Sequence, residues 1–294
     1  MTDRLVFGAA QLGMPYGISN KVGKPDFSNA CEIVKTVFDQ GIIRFDTAQA
    51  YGDSEEVLGR AFDRFELNSR VKVYSKLHPE LDLRDEKKIW QSVEDSLVKL
   101  KIGRLEGLLL HHEDKIRLWN EGLGDALRGL VVKDKVKFIG ASFYSPQKAL
   151  EALDIDGIDI IQVPANIFDQ RFENAGVFKK AQENGKKVFV RSIFLQGLLL
   201  IPLDCLPASM QEVLPYLIRL EQMASSMKLS RQELVLGYAR QKWFGSLVLF
   251  GAENKTQVMD NVRVFSSGGA MKIDESVFEG IPESILNPAL WPKL

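Results

Sequence analysis

The sequence predicts an α/β fold in which eight parallel strands close into a (β/α)8 TIM barrel. Short runs rich in Val, Ile, Leu and Phe alternate eight times with helical patterns, which is typical of a parallel sheet built from βα units. The length suits one such barrel, and we expect residues 1–294 to form a single domain. The first predicted strand is not followed by GxGxxG, because Gly8 to Gly13 keep only the outer glycines. This disfavours an open dinucleotide-binding sheet.

The predicted strands are short and mostly apolar, as expected for strands that are buried on both faces. Periodicity alone does not distinguish such runs from buried helices, so the prediction depends on their regular alternation with helices. The eight predicted strands are Leu5–Ala9, Ile43–Asp46, Lys72–Ser75, Gly107–Leu110, Phe138–Ala141, Ile158–Val163, Lys187–Arg191 and Leu247–Phe250.

Amphipathic helices are predicted between the strands. We expect Ser28 or Asn29 to cap the first of them and Gly41 to end it. The tail after Asn287 should be irregular, since it contains Pro288 and Pro292. The other helices are expected to begin near Ser54, before Ile89, and near Gly122, Pro146, Phe172, Ala208, Ser230 and Asn254.

Composition and charge exclude several classes of function. A net charge of −1 gives no electrostatic reason to expect a nucleic-acid partner or an acidic membrane. No run approaches the length of a membrane-spanning helix, and the N-terminal apolar run is too short for a signal peptide, so we expect a cytoplasmic protein. Cys31 and Cys205 lack metal-ligand spacing, and we expect neither a metal site nor a disulfide. The oligomeric state stays open.

Polar residues follow three consecutive predicted strands, at the rim where barrel enzymes carry their active sites. Asp46 ends the second strand, Lys76 follows the third, and His111 follows the fourth, with Tyr51 in the loop after Asp46. Each alone has an ordinary structural explanation, such as a cap, a solvated charge or a packed ring. Their joint occurrence at one rim favours catalysis.

These four residue types fit the reduction of a carbonyl group. Tyr51 can supply the proton, although a phenol has a pKa near 10. We expect the ammonium of Lys76 to lower that pKa and the carboxylate of Asp46 to hold the lysine in place. A histidine can hydrogen-bond the carbonyl oxygen and stabilise the charge that develops there.

Residues 43–59, IRFDTAQAYGDSEEVLG, resemble the FDTAxxYGxSExxLG signature of the aldo-keto reductases. Further similarities continue in order to about Val264, including LLLH at residues 108–111. The resemblance implies a barrel that binds NADP or NAD and reduces an aldehyde or ketone, with Asp46, Tyr51, Lys76 and His111 as the catalytic residues. His111 is preferred over His112 because it matches LLLH, and neighbouring residues of an extended chain should point to opposite sides.

The resemblance also assigns the cofactor-binding residues, some of which depart from the family pattern. Phe143 follows Ser142 where an Asn is frequent, and Arg191 stands where many members stack a tyrosine on the nicotinamide. Arg191 either stacks there or points away toward a carboxylate. The residues assigned to the cofactor are Ser142, Gln162, Arg191, Ser192, Gly251, Glu253, Gln257 and Asn261.

The predicted adenosine-phosphate site lacks the cations that a 2′-phosphate needs. Gly251, Glu253 and Gln257 occupy places where NADP-preferring members carry basic residues, and Lys255 is the one remaining nearby cation. We therefore expect a weaker NADP preference than is usual for the family. The loops Gln11–Pro25 and Leu195–Pro207 should line an open pocket that can admit a sugar or a large ketone. The first loop resembles bacterial members encoded near surface-polysaccharide genes, and by this analogy a sugar-type substrate is expected.

Two other functions are considered. A protein of this fold can bind the cofactor without catalysis, as a sensor or partner subunit, although the four catalytic residues argue against this. A Schiff-base lyase would use Lys76 in its neutral form. Asp46 beside the lysine should keep it charged, which disfavours this reading.

Overall fold

A computed structural model describes residues 2–291 and shows a closed barrel of eight parallel strands. Neighbouring strands pair in chain order and the last pairs with the first, so the predicted (β/α)8 barrel is confirmed. The last two strands have the predicted bounds, and the others differ by one or two residues at their ends. The strands are β1 Leu5–Gly8, β2 Arg44–Asp46, β3 Lys72–Lys76, β4 Leu105–Leu110, β5 Val136–Ser142, β6 Ile160–Pro164, β7 Lys187–Arg191 and β8 Leu247–Phe250.

Helices follow the strands and surround the barrel. The α-helices are α1 Ala10–Gly13, α2 Phe27–Asp39, α3 Ser54–Arg64, α4 Glu86–Leu100, α5 Leu123–Val132, α6 Pro146–Ala152, α7 Arg171–Asn174, α8 Val177–Glu183, α9 Leu214–Ser226, α10 Arg231–Lys242, α11 Lys255–Ser267 and α12 Glu283–Leu286. Short 3-10 segments occur at Thr2–Arg4, Glu113–Glu121, Leu195–Leu200, Leu203–Cys205, Ala208–Val213, Glu275–Phe278 and Pro288–Leu290.

Three helix predictions need correction. The cap of α2 is Asp26, whose carboxylate accepts the Asn29 backbone N–H at 2.8 Å, so Ser28 and Asn29 lie within the first turn. The helix predicted near Phe172 is interrupted at Gly176, whose φ of 78° separates α7 from α8. The helix predicted from Ala208 begins as a 3-10 segment and becomes α-helical at Leu214.

The tail departs from the prediction in containing short helical segments, α12 and the turn Pro288–Leu290. Pro292, which was also part of that prediction, lies outside the described residues. None of the helices described between residues 2 and 291 is long and apolar enough to cross a membrane.

Apolar side chains fill the barrel and the layer between its strands and helices. Inside the barrel, the Tyr74 and Phe189 rings pack edge to face with centroids 4.7 Å apart. Outside it, α3 and α4 approach closely at Gly59, where an added Cβ would lie 1.9 Å from the Lys99 carbonyl oxygen. This packing fixes the strands, so the residues at their carboxyl ends form a rigid rim.

Candidate active site

The buried ion pair between Asp46 and Lys76 joins the ends of β2 and β3. Lys76 Nζ lies 2.6 Å from Asp46 Oδ2 and donates to the Thr47 carbonyl oxygen at 2.8 Å. Asp46 Oδ1 accepts a hydrogen bond of 2.8 Å from Gln162 Nε2 on β6. Only 1% of Lys76 is exposed. Both carboxylate oxygens are therefore engaged, and the two charges are held in one arrangement.

Tyr51 lies in a tight turn between β2 and α3 that is clamped against α1. Its backbone N–H donates to Ala48, and its carbonyl accepts the Ser54 N–H, both at 3.0 Å. An added Cβ on Gly13 would lie 1.9 Å from the Tyr51 carbonyl oxygen, so this close approach requires glycine. The turn brings the Tyr51 ring to 5.0 Å from Lys76 Nζ. The phenol and the ammonium are thus neighbours in a fixed geometry.

His111 follows β4 and packs against the edge of Tyr51, with ring centroids 5.6 Å apart. Its Nδ1 is buried and has no hydrogen-bond partner among the described residues. His112 is exposed and stacks on His111, with centroids 5.4 Å apart and an angle of 20° between the planes. The expectation that the two rings point to opposite sides was wrong, but only His111 contacts Tyr51.

Burial dominates the protonation of these groups. It holds the pKa of His111 at about 3, with a further contribution from the charge of Lys76, so the imidazole is neutral at neutral pH. Burial raises the pKa of Tyr51, and the Asp46 carboxylate raises it further. The net shift is upward, whereas we expected Lys76 to give a lowered pKa. The phenol therefore keeps its proton at neutral pH, in the form that can act as an acid.

Burial also lowers the pKa of Lys76, and the neighbouring Asp46 opposes this shift. We expected Asp46 to keep Lys76 charged; Asp46 does raise the pKa of the lysine, but burial outweighs it. Lys76 Nζ is directed at Asp46 and Thr47, and the side chain is not among those that line the rim cavity. A Schiff base with a substrate would require both of these hydrogen bonds to break.

A cavity of about 430 Å³ opens at the rim and runs from Asp46 and Tyr51 to the start of α11. Its walls include residues 192–194, which follow β7, and both loops that were expected to line the pocket. The loops contact each other where the Ile18 N–H donates to the Gln196 carbonyl at 3.0 Å. Of the predicted site residues, the cavity is lined by Asp46, Tyr51, Gln162, Arg191, Ser192, Gly251, Glu253, Gln257 and Asn261.

Three predicted residues do not line this cavity. Lys76 lies behind Asp46, to which it is hydrogen-bonded. His111 packs against the Tyr51 ring, which separates it from the cavity. Ser142 is buried at the end of β5, in register with Gln162 on β6. No group of three or more potential metal ligands is found in residues 2–291.

The sequence model of the aldo/keto reductase family matches residues 4–281 of this chain. The chain belongs to this family. It is 26% identical over 187 residues to the aldo-keto reductase YhdN of Bacillus subtilis, a match covering 60% of this chain and 55% of that protein. The match thus spans about half the length of this curated relative.

Solved structures of aldo-keto reductases share the fold. The holo form of AKR11C1 from Bacillus halodurans has a TM-score of 0.75 and 21% identity, with 98% of this chain and 93% of that chain covered. The glycerol dehydrogenase AKR11B4 from Gluconobacter oxydans has a TM-score of 0.72 and 22% identity, with 93% and 89% covered.

Nicotinamide dinucleotides are the cofactors that the family generally uses, and two features of the cavity suit such a ligand. Gln11 Nε2 is buried on the cavity wall without a hydrogen-bond partner in the described chain. Gln11 Oε1 would lie 2.7 Å from a Cβ on Gly251, so a side chain there would crowd this wall. The cavity ends at the N-terminus of α11, whose first-turn amides favour a phosphate.

The part of the cavity where we expected the adenosine phosphate is lined by acidic and neutral side chains rather than by basic ones. Glu253 and Asp260 line it, and the Gln257 side chain accepts the Glu253 backbone N–H at 2.8 Å. Lys255, expected to be the nearby cation, is paired with Glu32 on α2 at 3.0 Å and is not among the lining residues. Asn261 is buried and accepts from Gln232 Nε2 at 2.7 Å.

Sequence reasoning missed lining residues on two helices, Gln232 on α10 and Asp260 on α11. Gln11 and Tyr16 lie in the segment Gln11–Pro25 that was expected to line the pocket, but neither was assigned a role in the site. The direction of their side chains depends on tertiary packing, which periodicity does not reveal. The helical spacing of Gln257, Asp260 and neighbouring residues on one face of α11 was a usable signal for Asp260.

A buried polar cluster supports the site from behind. Glu55, within the signature that carries the family resemblance, accepts hydrogen bonds from Ser75 Oγ at 2.6 Å and Ser96 Oγ at 3.2 Å. Gln49 Nε2 donates to Ser96 Oγ at 3.0 Å, and Gln49 Oε1 accepts the His78 N–H at 2.7 Å. Burial raises the pKa of Glu55. The cluster ties α3 and α4 to the end of β3, next to Lys76.

Proposed function

We propose that this protein reduces an aldehyde or a ketone to an alcohol with a nicotinamide cofactor, with Tyr51 as the proton donor. The observation that carries the proposal is one constellation at the rim. A protonated, half-buried phenol opens into the cavity and is flanked by the Asp46–Lys76 ion pair and by the neutral imidazole of His111.

Each residue has a chemical role that follows from its surroundings. When bound, the reduced nicotinamide supplies the hydride. Tyr51 gives its proton to the carbonyl oxygen, and the nearby ammonium of Lys76 favours the phenolate that remains. Asp46 holds Lys76 in place, and Gln162 holds Asp46. His111 packs against the Tyr51 ring and is neutral, so it does not compete with the phenol for the proton.

The direct test is oxidation of NADH and NADPH by the purified protein with a panel of aldehydes and ketones. We expect turnover that is proportional to enzyme concentration and depends on the carbonyl compound. The panel should include neutral, sugar-type and charged compounds, since a sugar-type substrate stays a prediction. Binding of the cofactor without turnover of any compound would contradict the proposal and favour a non-catalytic sensor.

We also propose that this enzyme prefers NADP less than is usual for its family, and uses NAD at least as well. The support is the adenosine end of the cavity, where Glu253 repels a 2′-phosphate or accepts from a free ribose 2′-hydroxyl. Lys255 is already paired with Glu32. Dissociation constants for both reduced cofactors test this, and tenfold tighter binding of NADPH would refute it.

A further inference from the structure

Arg191, the last residue of β7, presents a positive charge to the cavity without a charged partner. Its guanidinium lies 4.2 Å from the centroid of the Tyr144 ring. It donates to the Ser192 hydroxyl and to the Phe143 carbonyl oxygen, each at 3.3 Å. Within residues 2–291 it pairs with no carboxylate, so the expected alternative of an arginine turned away toward an acid is wrong.

The position of this charge points to the reacting end of the cavity. Arg191 is the one cationic side chain among the described residues that line it. Its charge opposes the rise in the pKa of both Tyr51 and Tyr16, so it acts on the proposed proton donor itself. The nearest acid of the reacting centre, Asp46, already has both oxygens engaged by Lys76 and Gln162.

We propose that Arg191 selects carbonyl substrates that carry a carboxylate group. This inference rests on the proposed function and names the substrate class of the same site. A half-buried guanidinium without a counter-ion gains most from a ligand that supplies one, and its planar fork matches a carboxylate. One guanidinium balances the single charge of a carboxylate, whereas a phosphate dianion would leave one charge uncompensated in a cavity that also contains three acids.

The geometry around Arg191 suits recognition rather than catalysis. The Tyr144 ring fixes the guanidinium plane, and the two hydrogen bonds at 3.3 Å are long enough to be replaced by charge-assisted bonds to a ligand. Tyr51 lines the same cavity and is close enough to feel the charge of Arg191, so a substrate held by Arg191 is within reach of the proton donor. Arg191 is therefore a specificity-determining residue.

The test compares acidic aldehydes with their uncharged amides. The acids differ in the distance between the carbonyl and the carboxylate: glyoxylate, succinic semialdehyde and para-formylbenzoate. A fourth aldehyde, para-formylphenyl phosphate, tests whether a doubly charged group is preferred to the carboxylate. For the best-fitting length, we expect kcat/KM for the acid to exceed that for its amide roughly 10- to 150-fold, the value of charge-assisted hydrogen bonds. We expect the phosphate to show no such preference.

Variants of Arg191 decide whether this residue is responsible. We expect Arg191→Gln to bring the acid-to-amide ratio close to one and Arg191→Lys to keep part of it, because the lysine retains charge but not the fork. Arg84→Gln is the matched control, since Arg84 pairs with Glu121 at 3.1 Å and is not among the cavity-lining residues. Its ratio should equal that of the wild type.

The outcomes separate the two proposals. If the wild type reduces neither acids nor amides, the proposed function fails and this inference fails with it. If it reduces both equally well, or prefers the phosphate, the proposed function stands and the carboxylate inference is overturned. A titration of NADH fluorescence adds a further criterion. If Arg191→Gln weakens NADH binding and leaves the acid-to-amide ratio unchanged, the guanidinium serves the cofactor and the inference is overturned.

Discussion

Removing the charge of Asp46 should destabilise the fold as well as the chemistry. The substitution Asp46→Asn keeps an oxygen for Gln162 Nε2 but leaves the ammonium of Lys76, which is 1% exposed, without its counter-ion at 2.6 Å. Breaking one side of a buried pair costs about 3–5 kcal/mol. We expect this loss in the free energy of unfolding, measured by urea denaturation at neutral pH.

The double variant Asp46→Asn/Lys76→Met should recover most of that loss, to within about 1 kcal/mol of the wild type, because no buried charge remains. It should still be inactive. Asp39→Asn is the matched control, since Lys35 and Asp39 form an ion pair of the same 2.6 Å that is 43% and 51% exposed. Its cost should stay under about 0.5 kcal/mol. A cost of Asp46→Asn as small as the control, or a double variant less stable than either single one, would refute the reasoning.

Three further predictions test the surroundings of the site. Burial holds the pKa of His111 at about 3, below its ordinary 6.5, so the stability that it contributes is complete above pH 6.5 and is lost as the pH falls toward 3. Urea denaturation should show that the free energy of unfolding falls by about 2 kcal/mol between pH 7 and pH 5 because of His111. His111→Asn should abolish this fall and His112→Asn should retain it; equal behaviour of the two variants would contradict the prediction. Glu253→Lys should tighten NADPH binding about tenfold relative to NADH, through a new charge-assisted bond to the 2′-phosphate; an unchanged ratio of dissociation constants would place that phosphate elsewhere. Gly59→Ala should lower the free energy of unfolding by about 1–3 kcal/mol, since the new Cβ would lie 1.9 Å from the Lys99 carbonyl; unchanged stability would show that α3 and α4 separate easily.

The fold could be predicted from the sequence because the same pattern, an apolar strand followed by an amphipathic helix, repeats around the barrel. Each strand is apolar and each helix is amphipathic, so eight weak assignments support one another. The errors fell at element ends and at one glycine inside a predicted helix. Asp26 rather than Ser28 caps α2, because the capping carboxylate reaches the amide three residues on. Gly176 divides one predicted helix into two, since its positive φ is not helical.

The positions of the candidate catalytic residues could be predicted from their place at the ends of strands. Their pKa values could not be predicted in this way. Spacing brings Asp46 and Lys76 to neighbouring strands, and the structure shows them 2.6 Å apart. The pKa of Tyr51 is raised rather than lowered because desolvation of the half-buried ring dominates, and desolvation depends on the packing of distant segments. The stacking of His111 on His112 and the lack of a charged partner for Arg191 among the described residues likewise depend on loops that carry no periodic signal.

The most direct test of the central claim is the rate of the chemical step in Tyr51→Phe. Single-turnover oxidation of enzyme-bound reduced cofactor by an aldehyde isolates that step from binding and release. Loss of a general acid should slow it about 100- to 10,000-fold, while the dissociation constant of the cofactor changes little. A Tyr51→Phe variant that reduces the aldehyde at the wild-type rate would show that the proton comes from another group, and the assignment of Tyr51 would be wrong.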